Sequence, residues 1–377
     1  MDTASSATRA PLTPLDRLFL QRAYELAARG IGSTAPNPPV GAVVVRDGRI
    51  AGEGYHRVAG SAHAEANALA QAGDAARGAT LYVSLEPCVC AGRVPACAPA
   101  IVAAGIVRVV AGTIDPNPKA NGAGVAFLRE NGVEVEIGDD ARARELIEIF
   151  ASTIVADRPY AALKMAMSLD GAITSQPGVQ EWITSETERL YVRELRVAYD
   201  AVMVGAGTVR VDDPQLTVRP PRHRLRRFLR IVACQTETID ASSRILAEVE
   251  EYAKTIVLAP AGRRERFENL RGIADLIFVG APGDRRLDLA AAMKALRAQA
   301  GVDSVLCEGG PTLGARLIEA GVVDRFYWAI APRLLRNERA VPVLAGVDFA
   351  ALQPRLRFDR VMQVGEDVVI SGTVGDV

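Results

Sequence analysis

The stretch Thr80–Cys88, TLYVSLEPC, places a cysteine directly after a short apolar run. Residues 80–85 combine β-branched, aromatic and leucine side chains, which predicts a strand. The segment that begins with Glu86 and Pro87 leaves the carboxyl end of that strand. In α/β folds, a loop at a strand end that faces a helix N-terminus usually holds the chemistry. We therefore expect an α/β domain with its site at this strand end.

A histidine and a glutamate precede the strand in the segment His63-Ala64-Glu65. Ser61 is predicted to cap a helix over residues 62–72, which would place both side chains in the first turn. Together with Cys88 and one further thiol, His63 would form a tetrahedral zinc site whose fourth position holds water. Glu65 would serve that water as the catalytic group without binding the metal.

Two cysteines compete to be the second thiol ligand, Cys90 and Cys97. Residues spaced as Cys88 and Cys90 point in different directions on a helix or a strand, so they chelate a metal awkwardly. The segment 91–96 is a loop flexible enough to fold back, which would bring Cys97 to the metal. This favours Cys97, with Cys90 as the alternative.

The order H-x-E followed by P-C is typical of zinc deaminases, in which activated water attacks an amidine carbon and the glutamate moves protons. Zinc lowers the pKa of its bound water from about 15.7 to about 7. One alternative is a set of buried thiols without metal, and another is a structural zinc site, although such sites normally have four protein ligands. A nucleic-acid base deaminase is a third alternative, but the chain lacks Pro-Cys-x-x-Cys and a basic excess.

The composition indicates a globular enzyme of two or three domains. The chain has 377 residues, 49% of them hydrophobic and 24% charged, and its net charge is −1. This charge gives no general attraction to nucleic acid or anionic membranes, and the basic run 220–227 is interpreted as a solvated loop. No segment is long and apolar enough to cross a bilayer. Five cysteines without framework spacing favour a reducing cytoplasm.

Helix and strand patterns alternate in both halves of the chain. In the first half, helices are predicted over 16–29 and 62–72, and strands over 40–45, 49–55, 80–85, 106–111 and 133–137. In the second half, strands are predicted over 161–166, 201–204, 230–233, 255–258, 275–279 and 304–307, with helices over 186–197, 287–298 and 312–319. Glycines at 205–207 and 309–310 could let backbone N–H groups approach a pyrophosphate, although ordinary turns explain them equally well.

The chain resembles the bifunctional deaminase/reductase family of riboflavin biosynthesis from about Leu15 to Gly372. In the first half the resemblance rests on residues 35–41, 52–56, 63–65, 86–88 and 115–118, and its spacing also supports Cys97 as the ligand. It implies a cytidine-deaminase-like α/β/α domain acting on a pyrimidine ribosyl phosphate. The residues that would border this substrate are Asn37, His56, Arg93, Asp115 and Asn117.

In the second half, the resemblance rests on residues 164–171, 181–185, 205–214 and 307–313. It implies a dihydrofolate-reductase-like α/β domain that uses NADPH and assembles as a dimer or tetramer. The residues that would contact the dinucleotide are Ala166, Trp182, Thr208, Asp212, Gly310, Pro311 and Thr312. Those that would surround the ribosyl phosphate are Lys164, Gln180, Arg196, Leu216, Arg219 and Glu308. The predicted division is a disordered lead over 1–14, a deaminase domain over 15–152, a linker over 153–160 and a reductase domain over 161–377.

The chain departs from the family pattern at a few positions. These are Cys90, Gln180, the pair Cys234-Gln235, and Arg336. The zinc ligands and Glu65 are intact, so deaminase chemistry is expected. The departures leave a second hypothesis open, namely a diverged relative that acts on a related pyrimidine or in which only the deaminase half is active.

Overall fold

The computed structural model describes residues 12–90, 92, 94–218, 227–235, 237–247 and 254–375. The expected disordered lead falls mostly on residues 1–11, which lie outside the described residues. Its last residues are ordered: Thr13 caps the first helix through a reciprocal hydrogen-bonded box with Asp16, and Pro14 begins that helix. The chain divides into two compact units, Met1–Ile154 and Val155–Val377.

The first unit is a five-stranded sheet with helices packed against it. Its strands are β1 (Gly41–Arg46), β2 (Arg49–Tyr55), β3 (Thr80–Val83), β4 (Arg108–Ala111) and β5 (Glu134–Ile137), in the order β2-β1-β3-β4-β5. Its helices are α1 (Pro14–Ala28), α2 (Ala64–Ala72), α3 (Cys97–Ala103), α4 (Ala123–Glu130), α5 (Ala141–Leu146) and α6 (Glu148–Val155). Strands β3, β4 and β5 are parallel, so their carboxyl ends share one edge of the sheet.

The packing of α2 on β2 fixes where the histidine and glutamate lie. Asp47 and Gly48 have positive φ values of 52° and 72° and form the predicted tight turn that starts β2. A Cβ at Gly54 would lie only 2.4 Å from the Ala64 carbonyl oxygen, so the glycine allows α2 to approach the sheet closely.

The start of α2 differs from the sequence-based expectation. His63 is the N-cap residue, and the helix begins at Ala64. The hydroxyl of Ser61, predicted as the cap, donates instead to the Val58 carbonyl oxygen at 2.7 Å and closes a preceding turn. A serine hydroxyl stabilises a local turn as readily as a helix end, and the two uses compete. His63, the candidate metal ligand, therefore lies at the N-terminus of the helix itself.

The second unit contains a nine-stranded mixed sheet. Its strands are β6 (Tyr160–Ser168), β8 (Ala201–Gly205), β9 (Leu229–Ala233), β10 (Ile256–Pro260), β11 (Asp275–Val279), β12 (Ser304–Cys307), β13 (Arg325–Ala331), β15 (Leu356–Val364) and β16 (Asp367–Val374), in the order β11-β10-β9-β8-β12-β6-β13-β16-β15. Strands β7 (Ala172–Thr174) and β14 (Val341–Pro342) form a separate pair. The helices are α7 (Glu186–Ala198), α8 (Ala206–Asp212), α9 (Leu289–Ala300), α10 (Pro311–Glu319) and α11 (Phe349–Leu352).

Short 3₁₀ helices span Gly73–Ala76, Arg244–Leu246 and Ala261–Leu270. The six predicted strands of the second half are present with shifts of a few residues. The strands β13, β15 and β16, in which β16 runs antiparallel to both of its neighbours, and the small pair β7 and β14 are not among the predicted strands. The predicted linker is also shorter than expected, because α6 continues to Val155 and β6 begins at Tyr160.

Parallel pairing of β8, β12 and β6 places their carboxyl ends at one edge of the second sheet. Leu163, Met203 and Cys307 from these strands are buried together on one face of the sheet. Helix α8 begins directly after β8, and three residues lie between the end of β12 and the start of α10. This edge is the position expected for a ligand site in an α/β sheet. Every helix among the described residues is too short or too polar to span a membrane.

Candidate active sites

Three candidate metal ligands meet in the first unit. The Nδ1 atom of His63 lies 3.7 Å from Cys88 Sγ and 3.3 Å from Cys97 Sγ. All three ligand atoms fall within 4.8 Å of one another. The side chain of Cys90 is exposed and is not part of this group. The structure thus brings together the three residues favoured from the sequence.

Two helix starts and one strand end hold these ligands. His63 is the N-cap of α2, Cys97 is the first residue of α3, and Cys88 lies in the loop after β3. The backbone N–H of Cys97 donates to Cys88 Sγ at 3.4 Å. Hydrogen bonds from Cys97 and His63 outweigh burial and lower the pKa of the Cys88 thiol to about 4. A thiolate at a helix N-terminus is favoured by the helix dipole.

The donor set fits zinc. One imidazole nitrogen and two sulfur atoms leave a fourth tetrahedral position, which is the pattern of catalytic rather than structural zinc sites. Metal ligands bind in their deprotonated forms, so Cys97 gives up its proton when the metal binds. With these atoms already grouped, no large rearrangement of the chain is required.

Glu65 lies in the first turn of α2, two residues after the candidate metal ligand His63. Its side chain is buried, with 4% of the residue exposed. Burial raises the pKa of Glu65 to about 7. A carboxyl group of this kind can both accept and return a proton near neutral pH.

The predicted substrate residues Asn37 and His56 are joined to each other. The Nδ2 group of Asn37 donates to His56 Nε2 at 3.1 Å, and His56 Nδ1–H donates to the Ala62 carbonyl oxygen at 3.2 Å. Burial lowers the pKa of His56, which favours this neutral form. The His56 ring meets His63 edge-on at 5.2 Å between centroids. These contacts place Asn37 and His56 beside the metal ligands.

Asp115 and Asn117 lie in the loop between β4 and α4. The Asn117 backbone N–H donates to Asp115 Oδ1 at 2.8 Å, and burial raises the pKa of Asp115. The remaining predicted substrate residue of this unit, Arg93, lies outside the described residues. The structure therefore brings four of the five predicted residues to the neighbourhood of the zinc ligands or to the loop beside them.

The buried Glu86 organises that loop, a role that was not assigned from the sequence. Its Oε2 accepts the backbone N–H groups of Asp115 at 3.0 Å and Gly122 at 2.9 Å. Its Oε1 accepts those of Gly124 at 2.8 Å and Val125 at 3.2 Å. A signal for this role was present in the sequence, since a charged residue that ends an apolar strand needs buried partners.

In the second unit, three predicted substrate residues take part in two ion pairs between α7 and the sheet. The Arg196 guanidinium donates to both Glu308 carboxylate oxygens, at 2.6 and 2.7 Å. Lys164 Nζ lies 3.0 Å from Oε1 of Glu188, a residue absent from the predicted set. Leu216 is buried, with a positive φ of 50°. Gln180 is exposed, and Arg219 lies outside the described residues.

The predicted dinucleotide residues are partly gathered at the carboxyl edge of the sheet. Gly310 caps α10, and a Cβ there would lie 3.3 Å from the Thr208 hydroxyl, so the starts of α8 and α10 adjoin. Ala166 lies on β6, Asp212 ends α8, and Pro311 and Thr312 begin α10. Burial raises the pKa of Asp212. Trp182 is 65% exposed, and the Arg189 guanidinium stacks on its ring at 4.9 Å.

The structure explains one of the departures from the family pattern. The Gln235 amide makes two hydrogen bonds with the backbone of Leu287, accepting its N–H at 2.9 Å and donating to its carbonyl at 3.2 Å. The adjacent Cys234 is buried in the core. This pair therefore joins two segments of the second unit.

Two family models match the chain. The model for the cytidine and deoxycytidylate deaminase zinc-binding region matches residues 14–113, and the model for the RibD C-terminal domain matches residues 159–370. The chain is 40% identical to the riboflavin biosynthesis protein RibD of Aquifex aeolicus over 360 residues, covering 94% of this chain and 98% of that protein. The RibD of Escherichia coli is 39% identical over 370 residues, with the same coverage.

The chain belongs to the RibD family of riboflavin biosynthesis proteins. Among solved structures, an Acinetobacter baumannii RibD is 34% identical with a TM-score of 0.80, covering 96% of this chain and 99% of that one. A Thermotoga maritima deaminase/reductase is 33% identical with a TM-score of 0.80, covering 95% and 98%. The predicted fold class is confirmed: an α/β cytidine deaminase domain precedes an α/β RibD reductase domain. Zinc and NADPH are the cofactors of these two domains.

Proposed function

We propose that this protein catalyses two consecutive steps of riboflavin biosynthesis on a pyrimidine ribosyl phosphate. The first is deamination of diaminohydroxyphosphoribosylaminopyrimidine, and the second is reduction of 5-amino-6-(5-phosphoribosylamino)uracil, the two activities for which the Thermotoga maritima protein is named. The observation that carries the proposal is the grouping of His63, Cys88 and Cys97 beside a buried Glu65, in one chain with a RibD reductase domain. We assign deamination to residues 15–152 and reduction to residues 161–377.

In the deaminase, His63, Cys88 and Cys97 would hold the zinc, which would supply a water acidic enough to react near neutral pH. Glu65 would accept one proton of this water on its carboxylate and pass it to the ring nitrogen, and then carry the second proton from the new hydroxyl group to the amine, which leaves as ammonia. Asn37 and His56 orient the pyrimidine through their linked side chains. Asp115 and Asn117 border the substrate from the loop held by Glu86.

In the reductase, bound NADPH would supply the hydride for reduction of the open-chain imine carbon of the sugar, which gives the ribityl side chain. Backbone N–H groups at the start of α10 face the dinucleotide phosphates, because a helix N-terminus favours anions. Lys164, Arg196 and Glu308 line the sugar phosphate at the edge of the sheet. Lys164 lies in the middle of β6, which stands between β12 and β13, one residue beyond the point where β12 ends.

Purified, zinc-replete protein tests the proposal directly. We expect the diaminopyrimidine substrate to release ammonia, and addition of NADPH to yield the ribitylamino product by mass spectrometry. Ammonia release without NADPH oxidation would restrict the activity to the deaminase half. Absence of both reactions would contradict the proposal.

We also propose a cytoplasmic homodimer or tetramer. Reduced, metal-binding thiols suit a reducing compartment. Strand β15 ends the second sheet and exposes apolar side chains, among them Phe358 and Val361, which are 62% and 64% exposed. Sedimentation of the wild type and a Phe358→Ser variant tests the assembly, since loss of this apolar contact should shift the protein toward monomer.

A further inference from the structure

The carboxylate of Glu188 is buried against a substrate residue of the reductase. Its side chain is 1% exposed, whereas that of Lys164 is 13% exposed. The two charged atoms lie 3.0 Å apart, and the second carboxylate oxygen accepts the Thr184 hydroxyl at 2.7 Å. Removing a buried carboxylate from its counter-charge is costly, so the pair is held together.

Helix α7 carries this contact and the neighbouring one on the same face. Glu188 and Arg196 are eight residues apart, with the buried Val192 midway between them, so all three follow one side of the helix. Glu308 and Lys164 lie side by side, because they follow Cys307 and Leu163 in the parallel register of β12 and β6. Helix α7 therefore contributes the acidic partner of one ion pair and the basic partner of the other, and both pairs reach adjacent positions of the sheet.

The contact leaves the Lys164 ammonium able to bind a ligand. The Lys164 ammonium, 3.0 Å away, is the partner of Glu188 Oε1, and this oxygen accepts no hydrogen bond from another described residue. Among the described residues, the ammonium makes this ion pair and no hydrogen bond. An ammonium has three N–H donors, so those that do not face Glu188 remain for an oxygen atom of the substrate. The charges of the four paired side chains sum to zero. The two ion pairs therefore fix where the Lys164 and Arg196 side chains lie, and they add little net attraction for an anionic substrate.

We propose that Glu188 is a positioning residue of the reductase. It fixes the Lys164 ammonium in the middle of β6, one residue beyond the pair Cys307–Leu163 with which β12 ends, and there Lys164 binds an oxygen of the phosphoribosyl group. Thr184 in turn fixes the carboxylate, and Ser185, the N-cap of α7, is anchored by hydrogen bonds to Asp367. This inference rests on the proposed placement of the sugar phosphate beside Lys164.

The test is a kinetic comparison of Glu188→Gln with Glu186→Gln, the same substitution at an exposed position of α7. Glu188→Gln should raise the KM for the phosphoribosyl substrate about tenfold, the loss expected when a charged contact is neutralised. The KM for NADPH and the deaminase rate of the same chain should not change. Glu186→Gln should match the wild type in every parameter.

Two further variants make the test independent of folding. Thr184→Val should raise the substrate KM in the same direction by a smaller factor, and Glu188→Asp should recover part of the loss. An unchanged or lower substrate KM in folded Glu188→Gln would overturn the inference, because a lower value would mean that the carboxylate repels the phosphate.

Lys164→Met separates the inference from the function on which it rests. If this variant raises the substrate KM while Glu188→Gln does not, only the positioning role of Glu188 is wrong. If Lys164→Met also leaves the KM unchanged, the proposed placement of the substrate is wrong, and the inference falls with it.

Discussion

The Glu86 carboxylate accepts the backbone N–H of Gly124 at 2.8 Å, and a Cβ at Gly124 would lie 2.0 Å from the Pro87 carbonyl oxygen. The strand end that leads to the zinc ligand Cys88 and the start of α4 are therefore in direct backbone contact. The same carboxylate also binds the N–H of Asp115. Glu86 therefore holds the loop after β3, which contains Cys88, against the loop between β4 and α4, which contains Asp115.

Glu86→Gln is expected to destabilise the deaminase domain by about 1–3 kcal/mol, because an amide cannot accept all four N–H groups and leaves buried donors unsatisfied. Deaminase activity should fall, whereas the reductase activity of the same chain should persist. Thermal unfolding by circular dichroism and assays of both half-reactions check this. Equal loss of the two activities would contradict a local role.

Gly124→Ala tests the close approach itself. The added methyl group meets the Pro87 carbonyl oxygen, so we expect a lower melting temperature and weaker deamination. Gly283→Ala is the matched control, because a Cβ at Gly283 meets no atom within 4 Å. If the two variants melt alike, the contact has no energetic importance.

The zinc site predicts opposite results for two neighbouring cysteines. Cys97→Ser should lose most of its zinc, since it removes one of three ligands, whereas Cys90→Ser should retain zinc because Cys90 is exposed and outside the cluster. Metal content by inductively coupled plasma mass spectrometry, beside protein concentration, measures this. A Cys90→Ser protein without zinc would reverse the ligand assignment.

Glu65→Gln separates proton transfer from metal binding. Deamination should fall by about 10²–10⁴-fold, the usual contribution of a positioned acid–base group. Zinc content and NADPH-dependent reduction should remain, because Glu65 is absent from the group of metal ligands. Residual deamination near the wild-type rate would exclude Glu65 as the proton carrier.

Acid stability of the first unit depends on Asp16. Burial opposes its ionisation, but hydrogen bonds from Arg108, Thr13 and Tyr82 outweigh burial and hold the pKa of Asp16 well below its usual value. A carboxyl group whose pKa is lowered by folding stabilises the protein above its unfolded pKa, near 3.9, and loses that contribution as pH falls further. Asp16→Asn should therefore be less stable at pH 7, and the difference should shrink below about pH 4 in denaturant titrations.

The sequence by itself determined the chemistry of the first site and most of the parallel strands. The metal motif is local, because His63 and Glu65 share one helix turn and Cys88 follows one strand. Buried parallel strands such as β10 and β12 are continuous apolar runs that a single segment reveals. Local geometry favoured Cys97 over Cys90 as the second thiol ligand, and the fold places Cys97, not Cys90, beside His63 and Cys88.

The tertiary structure decided those features in which a strand or a charged side chain has its partner far away in the sequence. Strand β15 was missed because it is mostly exposed and lacks an alternating apolar pattern, so its pairing with β16 defines it. The same holds for Glu86 and Glu188, whose roles arise from donors 29–39 residues away and from a lysine 24 residues earlier. Long-range partners of a charged residue depend on how elements pack, which no local spacing encodes.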